Sequence, residues 1–461
     1  MDTAGMDVDS VLHPFTDLAR HHGSGPLVIE RGRGIHVYDE QGREYIEGIA
    51  GLWSTSLGFG VEELAQTAAE EMRRLGSYHL ADGKSHPKVV RLAAKLLEVA
   101  PAPFSKVFFT GSGSEANDTQ IKLLWHYNNL RGRRKKKKII SRANSYHGST
   151  LAAASLTGLG SFHHGFDLPL PFAKQTTCPS RFHNAEPGES DEEFTTRLAR
   201  NLEELILTEG PETIAGFIAE PVIGSGGIIP PPDGYFEKVQ EVLRRHDVRL
   251  IDDEVITGFG RLGAYWGAQV YGMEPQTLSC SKALSSGYMP IAAVLLDEEL
   301  SSVLVTKRRN LGPFGHGFTF GGHPTAAAVA LKVLELMEER DVVGHVRGVA
   351  PSFLKRIEEL SAHPLVGDAR GVGLIGGLHL VADKRGRKPL PLNSGVAVHC
   401  AEAAQRHGLI VRALGDVIAL APPLIIEEDE IGELFARLER ALDDTYHWAR
   451  GKDIVGSAGE G

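Results

Sequence analysis

Between residues 248 and 290 the chain reads VRLIDDEVITGFGRLGAYWGAQVYGMEPQTLSCSKALSSGYMP. The largely apolar run 248–251 stops at three consecutive acids, residues 252–254, and a short run with such an end predicts a buried parallel strand. A second strand-like run, 276–280, is followed by Lys282 and a glycine-containing turn. Ligands of open α/β sheets bind beyond the carboxyl ends of the strands, so we expect a carboxylate and a lysine amine to face the same rim.

These two groups favour one kind of chemistry. A lysine at a desolvated strand end is a good nucleophile toward carbonyl groups, because burial lowers the pKa of its ammonium group. A carboxylate opposite it would keep the pyridine nitrogen of a cofactor protonated, so that the ring can accept electrons. The segment therefore predicts a site that uses Lys282 together with one of the three acids.

Three short motifs in this segment are specific enough to identify a family. They resemble the signature of class III aminotransferases, and they are DEVITGFGR at 253–261, SKA at 281–283 and GYMP at 287–290. These enzymes are pyridoxal-phosphate (PLP) enzymes of fold type I and include the omega-amino acid:pyruvate transaminases. The resemblance extends over residues 14–448, and one departure is Leu262, where the family usually has threonine.

The resemblance implies a role for each residue around the cofactor ring. Lys282 is expected to bind the cofactor covalently and to move the proton, and Asp253 is expected to pair with the pyridine nitrogen. Val255 would pack under the ring. Tyr146 would stack on the outer face of the ring, with its hydroxyl near Lys282 and with His147 beside it, as a catalytic and cofactor-binding residue. Glu220 would lie near the hydroxyl side of the cofactor and gate the substrate arginine.

A second motif predicts a phosphate-binding turn. The strand-like run 106–110 meets the glycine-rich segment 111–117, GSGSEAN, which begins a helix. Glycines let backbone N–H groups approach a phosphate, and a helix N-terminus favours its charge. Ser112 followed by Glu115 also fits a capping box, which is compatible with phosphate binding. A relaxed dinucleotide fingerprint fits the same letters, but it requires an acid about 20 residues later, where the basic run 131–138 stands.

The resemblance resolves this motif in favour of PLP. It assigns Ser112, Gly113 and Ser114 to the cofactor phosphate in the same subunit. It also implies that Thr319 reaches across a dimer interface to the phosphate of the neighbouring subunit, so the chemistry would require a homodimer.

The resemblance also places the substrate residues. Leu52 and Trp53 would wall the substrate pocket together with Tyr146. Arg412 would be the mobile arginine that clamps a substrate carboxylate and swings away for amines without one, because a guanidinium can form two parallel hydrogen bonds with a carboxylate. Related amine transaminases often have aromatic residues around the positions of Ala81 and Asp82, so these smaller or acidic residues predict a roomier pocket suited to a cationic substrate end.

Composition excludes several classes of protein. The 461 residues carry a formal net charge of −10, which argues against non-specific binding to nucleic acid. The three cysteines form no CxxC pair, and His316 and His323 do not fit common zinc spacings, so no metal site is expected. The N-terminus lacks the features of a signal peptide, and no apolar run reaches the length of a membrane span. We expect a cytoplasmic protein with no nucleic-acid or membrane partner.

The predicted fold is α/β, a PLP-transferase of fold type I. The large domain would contain a mainly parallel seven-stranded sheet sandwiched by helices, next to a smaller α+β domain. The expected divisions are a disordered tail at 1–10, an N-terminal segment at 11–60 that packs with the small domain, a large PLP-binding domain at 61–340 and a C-terminal small domain at 341–461.

The predicted activity is amino transfer by a ping-pong mechanism. The donor would be an omega-amino acid, a diamine or a simple primary amine, and the acceptor a keto acid, with pyruvate favoured. The alternative on the same scaffold is an aminomutase or a decarboxylating transaminase. Two further alternatives are an NADP-linked oxidoreductase that uses the turn at Gly111 and a catalytically silent dimeric binding protein, which intact Lys282, Asp253 and Arg412 disfavour.

Overall fold

The computed structural model describes residues 2–307 and 312–455. The first residue of the expected tail and the last six residues of the expected small domain lie outside the described residues. Within the described part of the chain, no helix is both long enough and apolar enough to cross a membrane.

Strands and helices alternate along most of the chain. The strands are β1 (Ile29–Arg33), β2 (His36–Asp39), β3 (Glu44–Glu47), β4 (Phe104–Thr110), β5 (Lys138–Arg142), β6 (Ala173–Thr176), β7 (Ile214–Ala219), β8 (Arg249–Asp253), β9 (Thr277–Cys280), β10 (Ala292–Asp297), β11 (Val366–Val372), β12 (Ile375–Asp383), β13 (Lys388–Pro389), β14 (Leu409–Ile410), β15 (Arg412–Leu414) and β16 (Val417–Leu420). The helices are α1 (Thr3–Ser10), α2 (Leu18–Ser24), α3 (Ala50–Trp53), α4 (Glu62–Leu75), α5 (Pro87–Glu98), α6 (Gly113–Leu130), α7 (Leu151–Leu156), α8 (Arg181–Asn184), α9 (Asp191–Glu209), α10 (Tyr235–Arg245), α11 (Gly267–Tyr271), α12 (Glu298–Thr306), α13 (Pro324–Glu339), α14 (Val342–Glu359), α15 (Val396–Arg406) and α16 (Glu428–Arg450).

A seven-stranded sheet forms the centre of the fold, in the order β4-β10-β9-β8-β7-β5-β6. The five strands from β9 to β6 pair in parallel. Strand β10 runs antiparallel to both β9 and β4, because the short connection after β9 reverses the chain direction. This arrangement confirms the mainly parallel seven-stranded sheet expected from the sequence.

The sequence periodicity explains why helices cover this sheet. In α9 the residues that recur at helical spacing, among them Phe194, Leu198 and Leu202, are buried. Ser190 and Glu193 form a capping box that begins this helix. Helix α10 buries its apolar face in the same way and leads directly into β8. The carboxyl end of β8 is thereby held between packed layers, where all three acids are buried and Asp253 faces a cavity.

Two smaller sheets lie outside the seven-stranded sheet. One has the order β11-β12-β16-β15, with β13 paired to β12, and the other has the order β1-β2-β3-β14. In the second sheet β14 pairs in parallel with β3, with Leu409 opposite Ile46. The N-terminal and C-terminal parts of the chain therefore share a sheet. From this pairing we propose the division of the chain at 60 and 340 that the sequence suggested.

The expected disordered tail differs from the structure. Residues Thr3–Ser10 form helix α1, which begins where the Asp2 side chain accepts a hydrogen bond from the Gly5 backbone N–H at 2.8 Å. This helix contains no buried residue, so apolar packing does not account for it. The structure supplies a helix cap and a contact of Asp7 with two histidines of the following segment.

Candidate active site

Two cavities meet at the carboxyl ends of β8 and β9. The larger has a volume of about 1010 Å³, and the smaller, on its inner side, about 140 Å³. Both are lined by Tyr146 and Lys282. A group held in the small cavity would therefore share the lysine with a molecule in the large one.

Lys282 follows β9 at the start of a tight turn. Its backbone has a φ of 46°, in the left-handed region that non-glycine residues rarely adopt, and such strain concentrates at functional positions. Burial lowers the pKa of the Lys282 ammonium group to about 8, although the Asp253 and Glu220 carboxylates act in the opposite direction. A substantial fraction of this amine is neutral near pH 8 and available as a nucleophile.

Asp253 ends β8 on the opposite wall of the small cavity and is 2% exposed. Its Oδ2 accepts a hydrogen bond from Asn117 Nδ2 at 2.7 Å and lies 2.8 Å from His147 Nδ1. Its Oδ1 accepts from the Val255 backbone N–H at 3.2 Å. Contacts on both oxygens fix the orientation of the carboxylate, and Oδ1 retains capacity to accept a hydrogen bond from a cofactor.

The glycine-rich turn forms one end of the small cavity. Ser112 caps α6, with its Oγ accepting from the Glu115 backbone N–H at 3.2 Å, as expected. The Glu115 carboxylate reaches the Gly111 N–H instead of the Ser112 N–H, so the capping box is incomplete. The first N–H groups of a helix have no intrahelical acceptor, which leaves those of Gly113 and Ser114 able to bind an anion.

Close contacts at two glycines set the shape of this cavity. A Cβ on Gly113 would lie 3.0 Å from the Val255 methyl groups, and a Cβ on Gly148 would lie 2.6 Å from Ser114 Oγ. Gly148 also has a φ of 138°, which favours glycine. Larger residues at either position would push the wall inward, into the space that a planar ring would occupy beside Val255.

Both oxygens of the Glu220 carboxylate accept hydrogen bonds from backbone N–H groups, and one of these belongs to Tyr146. The Tyr146 N–H donates to Glu220 Oε1 at 3.0 Å, and the Gly224 N–H donates to Glu220 Oε2 at 2.9 Å. Burial raises the pKa of the Glu220 carboxyl. The Tyr146 hydroxyl lies 3.1 Å from Ser149 Oγ, and Phe162 packs edge-on against the tyrosine ring at 5.2 Å between centroids.

Besides Tyr146, the large cavity contains the three other expected substrate residues. Leu52, Trp53 and Arg412 all line it. Trp53 is 2% exposed and has a φ of 64°, so its backbone is held in a strained conformation by the packing around it. The guanidinium carbon of Arg412 lies 5.8 Å from the centroid of the Phe15 ring.

Several expected site residues lie elsewhere in this single chain. Thr319 is exposed and lines neither cavity, and Ala81 and Asp82 are also exposed and outside both. Ser112 adjoins the small cavity through Gly113, but its hydroxyl is used by the helix cap. Glu220 forms no ion pair with Arg412 among the residues described.

The structure adds two features that the sequence reasoning missed. Asn117 on α6 donates a hydrogen bond to Asp253. The only feature of the sequence that pointed to this residue was its position four residues after Gly113, one helical turn beyond the glycine-rich turn. The chain around Phe15 lines the large cavity, and this part carried no periodic or motif signal. Both become visible only when distant parts of the chain are brought together.

Comparison with known proteins gives a consistent result. The family model described as Aminotransferase class-III matches residues 18–442. Gamma aminobutyrate transaminase 3, chloroplastic, from Solanum lycopersicum is 47% identical over 447 residues, which cover 96% of this chain and 86% of that protein. Gamma-aminobutyrate transaminase 1, mitochondrial, from Oryza sativa subsp. indica is 47% identical over 442 residues, with the same shares covered.

Solved structures are similar over nearly the whole chain. A thermostable omega transaminase mutant from Pseudomonas jessenii has a TM-score of 0.96 and 49% identity, covering 97% of this chain and 99% of that chain. The omega transaminase of the same organism in complex with PMP has a TM-score of 0.96 and 48% identity, with the same coverage.

Proposed function

The chain belongs to the class-III aminotransferase family, and from this premise we propose that it transfers an amino group from an omega-amino acid, a diamine or a simple primary amine to a keto acid, with pyruvate as the favoured acceptor. Enzymes of this family use PLP. The observation that carries the proposal is the position of Lys282, whose side chain lines both the small cavity and the large one. The named relatives act as gamma-aminobutyrate and omega transaminases, which supports the donor class.

The residues of the small cavity fit PLP. An amine, a buried carboxylate and a helix N-terminus face one space, and they match the aldehyde, the pyridine nitrogen and the phosphate of that molecule. His147 also lines the small cavity, and its buried Nε2 has no hydrogen-bond partner among the described residues. Glycine at 113 and 148 keeps the walls apart, as a ring requires.

When bound, PLP supplies an electron-withdrawing pyridine ring that stabilises negative charge on the substrate carbon. Lys282 Nζ would hold the cofactor covalently, give way to the amine of the donor and then move the proton of the substrate carbon. Asp253 would pair with the pyridine nitrogen and keep it protonated, because hydrogen bonds from Asn117 and the Val255 backbone N–H fix the position of its carboxylate. Val255 and Tyr146 would hold the two faces of the ring, and Glu220 would fix Tyr146 through its backbone N–H.

The large cavity accommodates the substrates in turn. Arg412 would hold the carboxylate of the keto acid through two hydrogen bonds, and Leu52 and Trp53 would pack on the rest of each substrate. Donor and acceptor would use the same space next to Lys282, which requires them to bind alternately. This requirement supports a ping-pong order of half-reactions.

We extend the proposal to a homodimer. Thr319 is exposed, as a residue that reaches a neighbouring subunit must be in a single chain. The next residue, Phe320, is a large apolar side chain with 69% exposure. Both lie in the turns just before α13, and a second copy that covers them would bring Thr319 to the phosphate of its partner.

The cytoplasmic location expected from the sequence also stays a proposal. The three free cysteines fit a reducing compartment, whereas the plant relatives are named as chloroplastic or mitochondrial proteins. Fractionation of cells of the source organism followed by immunodetection would test it. Recovery of the protein in an organelle or membrane fraction would contradict it.

Spectroscopy of the purified protein tests the activity. We expect visible absorbance from bound PLP that is lost with omega-amino acids, diamines or primary amines and returns with pyruvate. A panel of keto acids that includes 2-oxoglutarate would rank the acceptors by rate of recovery. Release of carbon dioxide, or turnover of an amino acid without a free keto product, would replace amino transfer by decarboxylating transamination or by aminomutase activity.

A further inference from the structure

The N-terminal segment, defined here as residues 7–21, crosses the mouth of the large cavity. Its Leu12, His13, Phe15 and Thr16 line that cavity. The Phe15 ring lies 5.8 Å from the ring of Phe162 on the opposite side, measured between centroids. This segment therefore forms a wall of the mouth through which substrates pass.

Apolar burial contributes little to holding the N-terminal segment in place. Helices α1 and α2 contain no buried residue, and Leu12 and Phe15 are 80% and 54% exposed. Complete burial of one such side chain would stabilise the folded segment by roughly 1.5–3 kcal/mol, and side chains that are this exposed contribute much less. The segment depends instead on polar contacts, which are an ion pair of Arg20 with Glu402 and a cluster at Asp7.

The cluster consists of Asp7, His13 and His21. Asp7 Oδ1 lies 2.8 Å from His13 Nε2 and 3.2 Å from His21 Nε2. The two imidazole rings lie 4.1 Å apart between centroids. Two ring nitrogens and one carboxylate oxygen thus lie within 4.8 Å of one another. The three side chains come from α1, from the connection and from α2, and they remain partly exposed, with 21%, 28% and 11% of each side chain accessible.

We propose that Asp7, His13 and His21 bind a divalent transition metal ion, best matched by Zn²⁺, and that the ion fastens α1, the connection and α2 to one another, so that the N-terminal segment keeps its shape across the mouth of the active site. Two imidazole nitrogens and one carboxylate oxygen are a common donor set for zinc, with the fourth position open to water. This metal site is independent of the PLP chemistry at Lys282.

The distances in the cluster suit this ion. Zinc–ligand bonds of roughly 2.0–2.1 Å in tetrahedral geometry place neighbouring ligand atoms about 3.3 Å apart. Asp7 Oδ1 lies 3.2 Å from His21 Nε2, close to that value, and 2.8 Å from His13 Nε2, so an ion would move these two atoms apart by about 0.5 Å. The two imidazole rings are tilted by 39° to each other, and Nε2 of each ring faces the same oxygen of the Asp7 carboxylate.

The ion would join the two short helices through the connection that touches the cavity. His13 is both a ligand and a lining residue, so the ion would lie at the rim. Phe15, two residues later, would be held against Phe162 and near Arg412. A fastened segment would narrow the mouth and slow the entry of bulky amines more than that of small ones.

Metal binding is tested with untagged holoenzyme that has been treated with a chelator and dialysed. Titration with Zn²⁺, followed by calorimetry and by elemental analysis, should give one ion per chain. His13→Ala and His21→Ala should each weaken binding by more than about 100-fold, since loss of an outer-shell partner alone costs roughly 10–100-fold. His22→Ala is the matched control, because His22 is an exposed neighbour outside the cluster, and it should bind as the original protein does. Retained visible absorbance of the cofactor shows that each variant is folded.

Fastening is tested separately by trypsin cleavage after Arg20, followed by mass spectrometry. At free Zn²⁺ of about ten times Kd, cleavage that requires opening of the segment should slow about tenfold in the original protein and in His22→Ala. It should not slow in His13→Ala. No bound ion, or an ion bound equally by His13→Ala and the original protein, overturns the site. Binding without protection of Arg20 overturns the fastening.

Discussion

The side-chain amide of Asn117 donates a hydrogen bond from Nδ2 to Asp253 Oδ2 at a distance of 2.7 Å. The same nitrogen donates to the His147 backbone carbonyl at 2.7 Å. The amide oxygen accepts from the Ser279 hydroxyl at 2.8 Å and from Gln120 Nε2 at 2.9 Å. Every hydrogen-bonding position of this amide is used, so Asn117 is a rigid support for the carboxylate.

Asn117→Ala should slow the first half-reaction. A hydrogen bond to a charged group contributes about 1.5–3 kcal/mol, and its loss lets Asp253 move away from the pyridine nitrogen. We expect the single-turnover rate of the absorbance change with an amine to fall about 10- to 100-fold. Asn128→Ala removes a buried amide from the same helix without touching Asp253, and it should retain the original rate. Equal rates in Asn117→Ala and the original protein would show that His147 and the Val255 N–H suffice to position Asp253.

The amine of Lys282 should make cofactor uptake depend on pH. Burial lowers the pKa of its ammonium group to about 8, and only the neutral amine attacks an aldehyde. The rate of covalent uptake of PLP by cofactor-free protein should therefore rise with pH through 8 and level off above it. Stopped-flow absorbance measures this rate. Lys282→Arg, which stays cationic, should form no bond, and a rise that continues to about pH 10 would indicate an ordinary exposed lysine.

Arg412→Leu should raise the KM of the keto acid acceptor and leave the KM of a simple amine donor nearly unchanged. Loss of a bidentate hydrogen bond to a carboxylate should raise the KM for pyruvate by about 10- to 100-fold. The KM for a simple primary amine should change little, since such an amine carries no carboxylate. An aldehyde acceptor is the control, and its kcat/KM should stay within about threefold of the original. If kcat/KM fell equally with pyruvate and with the aldehyde, Arg412 would stabilise the cavity wall and would not bind the substrate carboxylate.

Glu47 should make stability depend on pH. Burial raises the pKa of this carboxyl to about 7, although the backbone N–H groups of Ile49 and Gly51 act in the opposite direction. A raised pKa means that the folded protein holds the proton more tightly. The contribution of Glu47 to stability is therefore complete below about pH 4.5, falls by about 1.4 kcal/mol per pH unit as pH rises from there to about 7, and is lost above about pH 7.

Glu47→Gln should remove this loss. We expect the melting temperature of the original protein to fall further between pH 6 and pH 8.5 than that of the variant. Glu44→Gln, on the exposed side of the same strand, is the control for loss of charge and should follow the original protein. An identical pH dependence in Glu47→Gln and the original would show that the carboxyl is ionised in the folded protein at neutral pH.

Much of the site followed from local signals. An apolar run that ends in acids predicted β8, and the run before Lys282 predicted β9, because hydrophobic burial selects such runs for a central sheet. The glycine-rich turn predicted the beginning of α6 at the Ser112 cap. The motifs around Asp253 and Lys282 identified the family, and the family implied the cofactor.

Other features depend on contacts between distant residues. Asn117 and Asp253 are 136 residues apart, and nothing in either local sequence records that they touch. The helix at residues Thr3–Ser10 was missed because it buries no apolar face, and only its contacts with His13 and His21 reveal its position. The expected contact of Thr319 also involves a distant partner, because that contact would be made with a second copy of the chain.

The amino-acid order alone determined the class of fold, the chemistry of Lys282 and the kind of cofactor, because periodicity and short motifs are local properties of a chain. Tertiary structure decided which side chains orient Asp253, how far burial lowers the pKa of Lys282, and that Asp7, His13 and His21 converge at the rim of the cavity. These properties are set by distances between residues that the chain brings together only on folding, and burial and electrostatic energies depend on those distances.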